Sequence, residues 1–212
     1  MSETCHKLHQ LVATLSVHRF PFNPTKIPTN GIYILFETGE LAHGTNRIVR
    51  VGSHTGEGQL RHRLEQHFLN ENKDRSIFRK NIGRAILNRD RDPFLKHWNI
   101  DLTPRKAKDK YSKTIDSAKQ RLIEKQVTTY IQEHFCFIAL CIPNKTKRLN
   151  LETKLIATVS KCIDCQSSKD WLGRYSPKEE ICTGKLWQVK DLNGTPLTAD
   201  EYSNLRKLII IP

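Results

Sequence analysis

"NRIVRVGSHTGEGQLRHRLEQHF", Asn46 to Phe68, is the stretch from which the rest of the chain is best read. Its run Ile48 to Val51 has the β-branched composition of a strand, and it closes at Gly52. A turn rich in Gly, Ser and Thr follows. Leu60, Leu64 and Phe68 then recur at i, i+4 and i+8, the spacing of a buried helical stripe, within a helix expected over about Gln59 to Leu69. Arg63 and His67 each precede a stripe residue by one, so they lie about 100° round the helix, along the margin of its apolar face. A side chain at that margin reaches into a cleft rather than into bulk water. An ordinary basic helix edge, with Arg63 snorkelling, has the same pattern. A glycine at the strand end lets the chain turn closely past a ligand, with the next helix holding out a cation and an imidazole.

Upstream, "GIYILFE" (31–37) is a strand by its aromatic and β-branched content, with "TGELAHGTN" (38–46) as a turn-rich connection to the second, antiparallel strand. Residues 1–20 read as an amphipathic helix, broken by three prolines in "FPFNPTKIPTN". Downstream, Ile77, Phe78, Ile82, Ala85 and Ile86 make one apolar helical face, ringed by Arg75, Arg79, Lys80, Arg84, Arg89 and Arg91. An irregular basic stretch, a helix, a third strand "CFIALCIP" (136–143) and a further helix follow. This order predicts an α+β fold: a small three-stranded antiparallel sheet flanked by helices, with a basic helical insertion. The expected organisation is residues 1–29 as N-terminal helix and Pro-rich linker, 30–165 as core with its insertion at 70–125, and 166–212 as a loop-rich extension. Trp171 and Trp187 are its packing anchors.

Lysine and arginine number 35 against 22 acids, a formal charge of +13. Clustered cations suit a polyanion, because binding phosphates releases counterions. No apolar run reaches membrane-spanning length and the N-terminus lacks a signal-peptide pattern, so a cytoplasmic protein with reduced thiols is expected. Cys162 and Cys165 form one C-x-x-C, which a zinc site would complete with Cys182 and a histidine.

Glu152 stands inside an apolar stripe of Leu149, Leu155, Ile156 and Val159. A carboxylate so placed needs an arginine, a hydrogen-bond network or a cation. Magnesium is one answer, since it favours one or two carboxylates plus water and a substrate phosphate. Strand alternation sets Tyr33 and Leu35 on one face and Ile32, Ile34 and Phe36 on the other. A phenol on a cleft face is suited to handling a nucleophile's proton.

"GIY" at Gly31–Tyr33, "RVG" at Arg50–Gly52, the following R-x-x-x-H helix and the later helical Glu152 resemble the GIY-YIG nuclease superfamily. The resemblance implies one divalent cation, Mg²⁺ with Mn²⁺ as substitute, and hydrolysis of DNA to 5′-phosphate and 3′-hydroxyl ends. It implies that Tyr33 helps to activate water, Arg63 holds the scissile phosphate, His67 assists proton transfer, and Glu152 is the metal ligand. Arg50 stands where the family has tyrosine; a guanidinium stays protonated, so its roles are to grip phosphate or lie beside Tyr33. The connection between the two tripeptides is long. The compact layout is most like the family's restriction endonucleases, acting on duplex DNA as a homodimer or higher assembly. Arg75, Arg79, Lys80 and Arg84 of the insertion are then the expected DNA contacts. The alternatives are a structure-specific repair or mobile-element nuclease, and a DNA-binding module that has lost catalysis.

Overall fold

The computed structural model of the protein describes residues 2–111 and 113–210. Its centre is a mixed-length antiparallel sheet of four strands: β1 (His18–Arg19), β2 (Gly31–Ala42), β3 (Thr45–Gly52) and β4 (Phe135–Cys141). The order is β1-β4-β2-β3, so the long β2 is paired on both edges. The three expected strands are present, and the two-residue β1 adds a fourth at the β4 edge.

Both faces of the sheet are covered, which explains why Gly31 to Glu37 is buried without a break rather than in alternation. One face carries Tyr33, Leu35, Val49 and Phe137. It packs against α2 (Leu60–Phe68), α3 (Ile77–Arg89) and α6 (Ser117–His134) through Leu64, Phe68, Phe78, Ile82, Val127 and Ile131. The other carries Ile32, Ile34, Phe36, Ile48 and Val51. It packs against α1 (Ser2–Ala13), α7 (Lys145–Ser160) and α9 (Ala199–Ile210) through Leu8, Val12, Leu155, Ile156 and Leu205. Two short helices, α4 (Leu95–Trp98) and α5 (Arg105–Tyr111), lie between α3 and α6 in sequence.

Several local expectations shift. Helix α1 stops at Ala13, well before residue 20. The connection expected at 38–46 is mostly strand: β2 continues to Ala42, and the turn is only His43–Gly44, both at positive φ (54° and 74°). Two positive φ values are what a tight hairpin turn requires. The long spacing between the tripeptides is thus a long hairpin. The C-terminal stretch is less irregular than expected, with a 3-10 turn at Leu172–Tyr175, α8 (Glu179–Gly184) and the twelve-residue α9. Within it, Trp187 N–H donates to Val49 O at 2.8 Å and the Gln188 side chain accepts from Val51 N–H at 3.0 Å. These bonds cover the outer edge of β3.

One irregularity positions the site. Leu35 pairs with Arg50 but Phe36 pairs with Ile48, so Val49 is an extra residue in β3. Val49 joins the core of Tyr33, whereas Ile48 and Val51 join the opposite core. Arg50 lies on the Tyr33 face, with its guanidinium 5.3 Å from the centre of the Phe78 ring. Strict alternation would have sent Arg50 to the other face; a β-bulge at Val49 turns it back.

Candidate active site

The site is built from the ends of β2 and β3, the margin of α2 and the side of α7. Tyr33 is buried at the start of β2. Its hydroxyl lies 2.7 Å from Nε2 of His67, the last-turn histidine of α2. The other ring nitrogen, Nδ1, lies 2.7 Å from Ser76 Oγ. Ser76 is itself the N-cap of α3, accepting from Arg79 N–H at 3.2 Å. His67 is completely buried, and burial pushes its pKa well below the ordinary value. The neighbouring Arg63, Arg50 and Arg79 push in the same direction. The imidazole is therefore neutral at pH 7, with one ring nitrogen a donor and the other an acceptor.

Arg50 Nε–H donates to the Tyr33 hydroxyl at 3.4 Å, and a terminal nitrogen donates to Trp187 O. Arg63 donates to Gln66 Oε1 at 2.9 Å and to Arg75 O at 3.0 Å. Both arginines thus meet neutral acceptors. Arg63 lines a cleft of about 370 Å³ together with Ser53, His54, Gln59, His62 and Gln66.

Glu152, half-buried on α7, accepts from Ser53 N–H at 3.1 Å and from the Ser53 hydroxyl. Burial raises its pKa; the Ser53 hydrogen bonds and the Arg50 charge oppose the rise. No internal guanidinium closes on its oxygens, among the described residues. Ser53 therefore links Glu152 to the cleft that Arg63 lines. A roomier groove of about 950 Å³ between α7 and α9 is lined by none of these side chains.

The two strand-end glycines have steric reasons of their own. A Cβ on Gly31 would overlap the Leu140 carbonyl of β4, and a Cβ on Gly52 would overlap the Tyr33 phenol. Gly52 thus makes room for a side chain of its own protein, which corrects the expectation that it passes a ligand.

The insertion departs most from expectation. Of its four anticipated DNA contacts, only Arg75 is exposed. Arg79 is fully buried and is held by Glu124 Oε2 at 2.8 Å, Thr128 Oγ1 at 2.7 Å and His67 O at 3.1 Å. Lys80 pairs with Asp74 at 2.9 Å. Arg84 donates to Asn99 and Asn81, both at 2.7 Å. The reason is that α3 is covered nearly all round: Phe78 to Leu87 are all buried. The Trp98 ring sits where a Cβ on Gly83 would fall, and its Nε1–H donates to Lys80 O at 2.9 Å. Ile77, assigned from sequence to the apolar face, is 43% exposed instead.

Two residues of the site were not anticipated. Ser76 had a signal, a serine directly before a helical run, which is an N-cap pattern. Ser53 had only its place after Gly52. Cys182 does not join Cys162 and Cys165; its thiol faces the carbonyls of Gly173 and Ser176, both at 3.4 Å.

A family model described as a GIY-YIG domain matches residues 7–209. The match spans nearly the whole chain, and the chain belongs to the GIY-YIG family. That family is made up of nucleases, so the chain is a nuclease with DNA as its substrate. No curated protein and no solved structure matches it. Among the described residues, no helix is long and apolar enough to cross a membrane.

Proposed function

We propose that the protein is a Mg²⁺-dependent endonuclease of restriction type, hydrolysing duplex DNA to 5′-phosphate and 3′-hydroxyl ends at the cleft beside Ser53 and Arg63. The observation that carries this reading is the Tyr33 hydroxyl 2.7 Å from a neutral, buried imidazole. In the tautomer with its proton on Nδ1, His67 donates to Ser76 and accepts the phenolic hydrogen at Nε2. Tyr33 then has a route for a proton it takes from the attacking water. Arg50, donating to the same phenolic oxygen, favours the phenolate as it forms. Arg50 is thus a partner of Tyr33 rather than a second phenol.

Arg63 presents a cation to the cleft and answers the scissile phosphate. Ser53 lines that cleft and Glu152 is hydrogen-bonded behind it; together they offer only oxygen donors, which fits a hard cation that keeps several waters. When bound there, Mg²⁺ supplies positive charge to the phosphate as negative charge builds on it. Glu152 would hold the ion, with Ser53 orienting the carboxylate. The Arg75 carbonyl touches Arg63, and the Arg75 side chain lines a groove of about 550 Å³ with Lys108 and Arg121; of the acids that also line it, Asp74 and Glu124 are paired with Lys80 and Arg79, and Glu71 remains. This strip, rather than the buried cations of α3, is the proposed track for the DNA backbone. Cutting both strands in one binding event would use two such sites, as a dimer or higher assembly supplies.

The test is cleavage of intact plasmid and of branched DNA, with Mg²⁺ or chelator, beside Glu152→Ala. Discrete fragments from plasmid, lost with chelator and reduced about 10³-fold in the variant, are expected. Cutting confined to branched DNA would move the assignment to a structure-specific nuclease. DNA binding without cutting under several divalent metals would overturn the catalytic reading.

A further inference from the structure

On the opposite side of the sheet, three segments far apart in the chain bring thiols and imidazoles together. Cys5 and His9 lie one turn apart on α1, His43 occupies the β2–β3 turn, and Cys162 and Cys165 follow the end of α7. The donor atoms of Cys5, His9, His43 and Cys165 all lie within 4.8 Å of one another. Cys5 Sγ is 3.4 Å from Cys165 Sγ, and His43 Nε2 is 3.3 Å from Cys165 Sγ and 3.4 Å from Cys162 Sγ. None of these cysteines is in a disulfide. A tetrahedral zinc ion, with bonds of about 2.3 Å to sulfur and about 2.0 Å to nitrogen, sets its ligand atoms roughly 3.5–3.8 Å apart. The three contacts, at 3.3–3.4 Å, are slightly tighter than that span, as for donor atoms gathered around a shared centre.

His9 differs from the others. Its Nε2 accepts from Ile48 N–H at 3.2 Å, and its Nδ1 lies 2.9 Å from Cys5 O. Both nitrogens are engaged with backbone, and a neutral imidazole has only one lone pair to give. Cys162 has no backbone commitment of this kind among the described residues; its thiol meets His43, lies near the Cys5 thiol and has a 3.9 Å contact with Ser2. It also completes the C-x-x-C spacing common to zinc sites. His43 is held at φ 54°, a backbone conformation uncommon for a residue other than glycine, and this aims its ring at the sulfurs.

We propose that Cys5, His43, Cys162 and Cys165 bind one zinc ion, with His9 packed beside it as a support. The thiols lose their protons on binding. Four protein ligands leave no open position, so the site is structural. It fastens α1 and the end of α7 to the hairpin whose other end carries Arg50 and Gly52. This differs from the grouping expected from sequence, in which Cys182 took part.

The test is metal analysis of the full chain purified without chelators from zinc-supplemented medium. One zinc per chain is expected, released stoichiometrically by an organomercurial. Cobalt-exchanged protein should show a thiolate-to-metal charge-transfer band and the intense visible bands of tetrahedral coordination. Cys165→Ser and Cys162→Ser should each lower zinc content about tenfold or more, whereas Cys182→Ser keeps it. Folded wild-type protein that takes up neither zinc nor cobalt would overturn the site. Full zinc in Cys162→Ser with loss in His9→Ala would overturn the assigned fourth ligand. The wild-type readouts stand even if a variant fails to fold, and none depends on DNA cleavage.

Discussion

Arg63 on α2 and Arg79 on α3 look alike in sequence: each is a cation beside an apolar helical stripe. Their surroundings separate them. Arg79 meets a carboxylate inside the protein, Glu124, and its charge is cancelled where it lies. Arg63 and Arg50 meet carbonyl, amide and phenol oxygens, and neither has an ion pair among the described residues. Their charge is stabilised but not neutralised. A guanidinium keeps an uncancelled charge where the fold supplies it with neutral acceptors rather than a carboxylate. Coverage makes the difference: α3 is wrapped by α4, α6 and the 3-10 turn, while α2 keeps one edge on a cleft.

The strongest test of this contrast is Arg79→Ala. It leaves Glu124 buried without its cation and is expected to cost about 3–5 kcal/mol in denaturant unfolding. A loss below about 1 kcal/mol would place Arg79 among ordinary surface cations. Arg63→Ala should show the reverse profile. Cleavage should fall about 10²–10³-fold while stability shifts by about 1 kcal/mol or less, read by turnover and unfolding on the same preparation. Equal damage to both would erase the distinction.

A smaller effect follows from the cations around His67. Its folded pKa is depressed, first by burial and then by the arginines. Below the ordinary value of 6.5, the unfolded chain takes up a proton that the folded chain refuses. This contribution to stability is complete above that pH and is lost as pH falls toward the depressed value, by at most about 1.4 kcal/mol per pH unit. His67→Gln should flatten that part of the stability profile; an unchanged slope would mean that His67 titrates normally. The smallest effect is at Arg75 and Lys108. Replacing either by Ala should reduce the slope of log affinity against log salt by about 0.9, whereas Lys80→Gln should leave it unchanged.

Much of this fold was legible because it rests on local periodicity. The strands of "GIYILFE" and "RIVRVG", the stripe of Leu60, Leu64 and Phe68, and Glu152 on its helix follow from spacing within a few residues. Trp171 and Trp187 were legible as anchors; both indole N–H groups donate to buried Glu37 at 2.8 Å. The contacts among the candidate site residues were less so. Alternation could place Tyr33, but not the bulge at Val49 that brings Arg50 to it, because a bulge is a relation between two strands. Gly52 was noticed for the wrong reason, since the phenol above it belongs to the neighbouring strand.

The sequence by itself determined which segments become strands and helices, and which residues share a helical face, since those follow from backbone geometry over short distances. Only the tertiary structure decided which cations keep a free charge and which are cancelled inside, and which cysteines and histidines meet. Solvation and pairing depend on what packs over a face, and the partners lie far apart in the chain: Glu124 is 45 positions from Arg79 and Cys165 is 160 from Cys5.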